Sequence, residues 1–313
     1  MSTVSFFKFD EDLSNLTNGY RKFEDCSSLT SFTSDLSSLE NGEGMFFNCK
    51  NLSNFTSDLS RLKNGSLMFS GCTSLSSFSS ELKSLENGRY MFEDCSSLTS
   101  FSSDLPSLTD GYCMFQNWTS LTSFSSDLPK LTVGRSMFQD CTSLQSFTSD
   151  LRSAICGNNM FYGCTSLTTF SSDLSNLRSG FNMFRNCTSL TSFESDLSNL
   201  TNGRYMFYNC TSLTSFESDL SNLTNGRFMF YNCTSLTSFI SNLSNLGDDG
   251  CWFNGRYKLG CYMFSGCTSL NEVTIIVDTS KRTDWKEFFT KENLSIRKEA
   301  TLTIKDIDGN ILT

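Results

Sequence analysis

The chain has 313 residues, a formal net charge of −9 and no histidine. Without an imidazole there is no Ser-His-Asp or Cys-His nucleophilic site, no HExxH zinc centre and no His-based acid–base chemistry. The acidic balance argues against nucleic acid and anionic membrane as partners, since both ask for a basic face, and the absence of any apolar run of about 18 residues argues against a membrane-spanning helix.

The N-terminus, Met1 to Asp10, lacks the charged-then-apolar pattern of a secretory signal. A 23-residue repeat then governs the chain: Cys26, Cys49, Cys72, Cys95, Trp118 in the same slot, Cys141, Cys164, Cys187, Cys210 and Cys233, with Cys267 closing the series after an 11-residue insertion. A first copy fits the same frame, with Thr3 in the cysteine slot and Phe9, Leu13, Leu16 and Gly19 behind it. A period of this size means stacked coils, each too small to bury its own apolar side and each completed by its neighbours.

Slots are counted from the cysteine. Slot 6 is Phe from Phe32 to Phe239 and slot 20 is Phe from Phe46 to Phe230. Stacking predicts two continuous aromatic ladders in the core. Around Phe216 the alternation predicts a strand, with Phe216, Ser218 and Leu220 inward and Ser215, Glu217 and Asp219 outward. One strand per coil predicts a parallel sheet. The glycine of slot 16 (Gly42, Gly65, Gly88, Gly203 and others) often follows Asn, which predicts a tight turn with positive φ. The side opposite the sheet is expected to be turns or short 3₁₀ segments. Beyond Val277 the repeat stops. Asp284–Glu287 reads as a capping-box helix start, Ala300–Lys305 as a strand and Asp308-Gly309 as a turn. The expected organisation is a solenoid of about 12 coils over residues 1–277, interrupted near 247–257, and a small α/β capping or docking segment over 278–313. Its N-terminal coil is expected to lack a cover.

The motif Met-Phe-x-x-Cys-x-Ser-Leu-x-x-Phe, with Gly seven residues before the cysteine, resembles the BspA-like leucine-rich repeats of bacterial surface proteins. The likeness covers residues 3 to about 277. It implies a leucine-rich-repeat solenoid used for adhesion or protein recognition, and an extracellular, cell-surface or virion-surface setting. The family's Ile-Pro is replaced here by Ser218-Asp219, and only Val273-Thr274-Ile275-Ile276 is apolar at that position.

Several ladders invite a functional reading. The cysteines read first as buried free thiols that behave as small hydrophobes; Trp118 fits such an apolar slot, and Cys251 with Cys261 is the one pair considered for a loop disulfide. Slot 9 carries an acidic row that includes Asp104, Asp127, Asp150, Asp173, Asp196 and Asp219, with Glu194 and Glu217 beside it. These carboxylates either cap turns or form a cation or docking stripe. The hydroxyl-rich outward slots are either solvated or a glycan face. Phe181, Arg204, Tyr205, Tyr208, Arg227, Phe228 and Tyr231 form a candidate aromatic contact patch, rich in residue types that dominate interfaces. No cofactor, metal or catalytic residue is assigned. The expected role is non-enzymatic recognition of a protein or glycan; the alternative is a structural subunit of a filament or virion, self-associating through its first coil.

Overall fold

The computed structural model describes residues 11–247, 251–253, 256–258 and 262–312. It divides into two compact units, Met1–Leu151 and Arg152–Thr313. In each unit the 23-residue repeat folds as a leucine-rich-repeat solenoid. In unit one β1 (Ser31–Phe32), β2 (Asn54–Phe55) and β3 (Ser77–Phe78) pair in parallel, slot on slot, as do β4 (Ser123–Phe124) and β5 (Ser146–Phe147). In unit two β6 (Thr169–Phe170) pairs with β7 (Ser192–Phe193). A four-stranded sheet follows, of β8 (Ser215–Glu217), β9 (Ser238–Asn242), β12 (Glu272–Val277) and β13 (Thr301–Asp306), all parallel. Between β9 and β12 the backbone of β10 (Cys251–Phe253) pairs antiparallel with β11 (Arg256–Lys258).

The core is the pair of phenylalanine ladders. Within a ladder the rings stack in parallel: Phe46 and Phe69 lie 5.5 Å apart with 6° between planes. Between ladders they meet edge to face, as Phe55 and Phe69 do at 4.8 Å and 75°. Both geometries suit the ring quadrupole, positive edge against negative face. The leucines of slots 3, 10 and 13 complete the interior; Leu52, Leu59 and Leu62 are fully buried.

Most strands span only two residues because side chains take over the inter-coil bonding just beyond them. The inward Ser57 hydroxyl donates to the Ser34 carbonyl at 2.6 Å, and Ser218 repeats this towards Ser195 at 2.8 Å. The next residue, at slot 9, accepts a backbone N–H two positions on in several coils, as Asp58 does from Ser60. Strands lengthen at β9 and β12, where Ile240, Val273 and Ile275 favour extended pairing.

The opposite side carries more inter-coil backbone bonding than the strands do. In one coil the N–H groups of Gly42, Gly44, Phe46 and Asn48 donate to Asn64, Ser66, Met68 and Ser70 carbonyls of the next, at 2.8–2.9 Å. Every second N–H therefore points along the stack. Two residues per coil are left-handed to allow it. Slot 18 is one (Leu67 at φ 59°, Tyr90 at 57°, Tyr205 at 58°) and slot 22 is the other (Asn48 at 59°, Gly71 at 75°, Asn209 at 61°). Slot 22 holds Asn, Asp or Gly, the types that tolerate this region. At slot 15, Asn41 and Asn64 each donate a side-chain amide to the Asn one coil earlier, at 3.2 and 3.1 Å.

The glycine of slot 16 is explained differently from the sequence expectation. Its φ is not positive. A Cβ on Gly65 would sit 2.8 Å from Met91 Sδ and 3.1 Å from a Leu85 methyl of the next coil. The residue is glycine because the slot-19 methionine packs against bare backbone.

The cysteine slot is also more than apolar. Buried ladder thiols donate to the carbonyl of a slot-20 phenylalanine, 26 residues earlier for Cys72 to Phe46 at 3.2 Å and Cys187 to Phe161 at 3.1 Å, and 37 earlier for Cys267 to Phe230 across the insertion. Trp118 preserves the donor, since its indole N–H bonds the Leu98 carbonyl. It does disturb its neighbourhood. Strand pairing lapses at Phe101, beside the indole, and Phe78–Phe101 has the widest slot-6 spacing among the described stacked pairs, 6.3 Å. The twelve described cysteines are all free; for Cys251 only the backbone is described, and Cys261 lies outside the described residues.

After β12 a one-turn helix, α1 (Trp285–Phe288), buries Trp285 and Phe288, and Phe289 follows them inward. Asp284 stands at its N-cap without a side-chain capping bond, so the expected capping box is not formed; its carboxylate lies 3.6 Å from Arg282 instead. The Arg282 guanidinium covers the Phe288 ring and donates to the Ser244 and Leu246 carbonyls. Thr301 N–H bonds Asn271, Gly309 turns the chain at φ 87°, and Ile311 pairs antiparallel with Lys305.

Two outcomes follow from this packing. Gly65→Ala is expected to cost about 1–3 kcal/mol by overpacking, with much of that recovered when Met91→Ala is added, as read by a double-mutant cycle in denaturant. Burial raises the thiols of Cys72, Cys95, Cys141, Cys187, Cys210 and Cys233 and pushes Cys49 up to about 12 from 9.0. A folded-state pKa above the unfolded one contributes stability below pH 9 that is lost as pH rises towards 12. The ladder thiols should resist alkylation in the native protein and react fully in denaturant, by intact mass.

Candidate functional site

The sheet face of unit two is built by alternation and register. Outward positions pair across the strands as Glu217, Ile240, Thr274 and Thr303. Glu217 and Asp219 are exposed, while Phe216 and Leu220 turn inward, as the strand pattern predicts. Ile240 is 39% exposed and Ile307 61%. With Ile276 they form the apolar floor of an open groove of about 380 Å³, with Glu217 and Asp219 on one wall. Ile240 is legible as a departure: slot 7 is Ser, Thr, Asp or Glu in the earlier copies. Ile307 is not, because its place depends on how β13 docks.

Of the acidic row, Asp104, Asp127 and Asp150 belong to unit one, and Asp173, Asp196, Asp219, Glu194 and Glu217 to unit two. In several coils slot 9 caps the turn: the carboxylates of Asp35, Asp173, Asp196 and Asp219 accept N–H bonds from residues two further on, at 2.8–2.9 Å, whereas Asp104 and Asp127 precede Pro106 and Pro129, which have no N–H to give. Asn242 does the same for Ser244 at 3.0 Å, so the turn needs the oxygen and not the charge. Bonds from the Ser175 hydroxyl and N–H hold the Asp173 carboxyl below the usual range. Among the described residues no three His, Cys, Asp or Glu side chains converge as metal ligands.

The candidate aromatic patch comes together on the turn side of unit two. Tyr205 stacks on Phe228 at 5.0 Å, Phe228 on Tyr262 at 5.2 Å, and Tyr208 on Tyr231 at 4.8 Å; Phe181 meets Tyr205 edge-on at 6.0 Å. Arg204 lies over Tyr205 at 5.0 Å and Arg227 over Phe228 at 5.1 Å. Arg185, which the residue pattern did not single out, lies 4.5 Å from the Tyr208 ring centre. Its signal was its slot, 21, which it shares with Tyr162, Tyr208 and Tyr231. These rings are half-buried and spend their faces on one another. The first coil, expected to lack a cover and to self-associate, rests largely on residues 1–10, which lie outside the described residues.

Parallel in-register coils, a leucine- and phenylalanine-filled core and a cysteine at each joint define a leucine-rich-repeat protein. The chain belongs to the BspA type leucine rich repeat region family, whose profile matches residues 3–122 and 109–237. A second profile, Mycoplasma protein of unknown function DUF285, matches residues 182–298. No curated protein matches. Among solved structures, a leucine-rich repeat protein from Bacteroides ovatus is 21% identical, with 91% of this chain and 86% of that one covered at a TM-score of 0.39. A leucine rich cell surface protein from Faecalibacterium prausnitzii is 17% identical (86% and 84% covered, TM-score 0.39). The Treponema pallidum leucine rich repeat protein is 19% identical (65% and 87% covered, TM-score 0.38).

Asp196→Ala should destabilise its turn by about 0.5–1.5 kcal/mol, the worth of one hydrogen bond, while Asp196→Asn should leave it near neutral. Hydrogen exchange at the Ser198 amide reads the difference.

Proposed function

We propose that the chain is a non-enzymatic recognition protein displayed on a cell surface, and that unit two holds an extended protein segment across its sheet face. The groove around Ile240, Ile276 and Ile307 carries this reading. Elsewhere the outward slots are hydroxyls and carboxylates, which water satisfies. Exposed apolar side chains gathered in one depression are what a partner covers. The flanking Glu217 and Asp219 favour a segment whose apolar side chains alternate with Lys or Arg, since opposite charges steer encounter and fix register. The chemistry assigned is binding alone, without cofactor or metal. Family membership and the absence of histidine support it. Adhesion is the form such binding takes on a surface, and a glycan is the competing ligand.

The test uses fluorescent peptides with alternating basic and apolar residues, and Ile240→Ser, a side chain native to this slot in other copies. Peptide binding weakened about tenfold or more by Ile240→Ser is the expected result. Equal binding to both proteins, or binding of neutral glycans alone, overturns it.

A further inference from the structure

The turn side of unit two differs from that of unit one in charge, although the fold is the same. The segments 155–163, 178–186, 201–209 and 224–232 contain Arg178, Arg185, Arg204 and Arg227 and not one carboxylate. In unit one most of the equivalent segments carry carboxylates, and Arg21 is answered by Glu24 at 2.5 Å and Arg89 by Asp110 at 3.7 Å, Arg135 alone of its arginines there having no ion pair among the described residues. In unit two Arg185, Arg204 and Arg227 are half-buried on aromatic rings, and none forms an ion pair among the described residues. Their Nε atoms are enclosed without a hydrogen-bond partner. A chain of net charge −9 thus holds a row of pre-oriented, unanswered guanidinium groups.

What fits this row is set by its spacing. Arg204 and Arg227 share slot 17 and so repeat once per coil, about 4.8 Å for parallel strands. An extended peptide places same-face charges about 6.6–6.8 Å apart; a second stack of parallel coils offers carboxylates at about 4.8 Å. In unit one slot 9 supplies them in five successive coils, as the exposed Asp35, Asp58, Glu81, Asp104 and Asp127. The row in unit two is interrupted by Asn242 where the apolar groove begins.

We propose that the arginine-and-aromatic edge of unit two is a self-association surface, docking side by side on the slot-9 carboxylate row of unit one in a second copy of this chain. The contact joins two different patches, so it is heterologous and repeats from copy to copy unless it closes into a ring. It leaves the groove of unit two free.

The test is complementation, read by sedimentation velocity on the full chain. Wild type is expected to form concentration-dependent assemblies in low salt that dissociate in about 0.5 M salt, where screening is short-ranged. R204E/R227E should weaken association about tenfold or more. So should D35N/D58N/D104N/D127N: Asn keeps the oxygen that Asp35 and Asp58 give to their turns, as Asn242 shows, and Asp104 and Asp127 stand two before Pro106 and Pro129, which have no N–H to accept from. Mixed together, the two variants each retain the surface the other lacks, and should give one-to-one pairs and nothing larger. R204Q/R227Q, which removes charge without reversing it, guards against misfolding, with native hydrogen exchange as the check. A wild type that stays monomeric in low salt, undiminished assembly of R204E/R227E, or a failure of the two variants to pair overturns the proposal. So does an equal loss of association in D173N/D196N.

Discussion

The column of backbone hydrogen bonds on the turn side is the constraint on which each unit depends. Four N–H groups per coil, at Gly42, Gly44, Phe46 and Asn48 in one instance, all donate in the same direction. That fixes the rise and the register together. The phenylalanine rings then stack because the backbone places them one above another, and the rings repay the constraint by filling the space between the two sides. Glycine at slot 16, methionine at slot 19 and the left-handed residues at slots 18 and 22 are consequences of closing such a column tightly.

With the turn side carrying register, the strand side is released from it. Two-residue strands suffice, and serine hydroxyls can stand where the family has Ile-Pro. A hydroxyl reaching the preceding coil's carbonyl satisfies a group that would otherwise be orphaned by the missing ladder. Only near the C-terminal end of unit two do β-branched residues restore long strands, and that is where the face acquires its apolar groove.

The period, the two phenylalanine ladders and the inward and outward sense of Phe216, Glu217 and Asp219 were legible because each is a matter of spacing. The role of Gly65 was not, since its reason is Met91, 26 residues away, and Asn-Gly suggests a local turn instead. Left-handed Leu67 and Tyr90 carry no residue-type signal at all. The cysteines read as buried, and the donor role became visible through Trp118, whose one polar atom is also an N–H. Of the site, Ile240 stood out as a substitution within a slot. Arg185 hid because it reaches the same rings from a different slot than Arg204 and Arg227.

The interruption before β12 shows what this architecture permits. Phe46 N–H bonds Met68, 22 residues on, whereas Phe230 N–H bonds Met263, 33 residues on, at the same 2.9 Å. The column resumes in phase after 11 additional residues, as if they had not been read. A coil can therefore be lengthened at its turn corner while the bonds of Phe230 and Asn232 to Met263 and Ser265 keep their places in the column. Such a scaffold can acquire a new loop in a single insertion event and still carry its hydrogen-bond column past it.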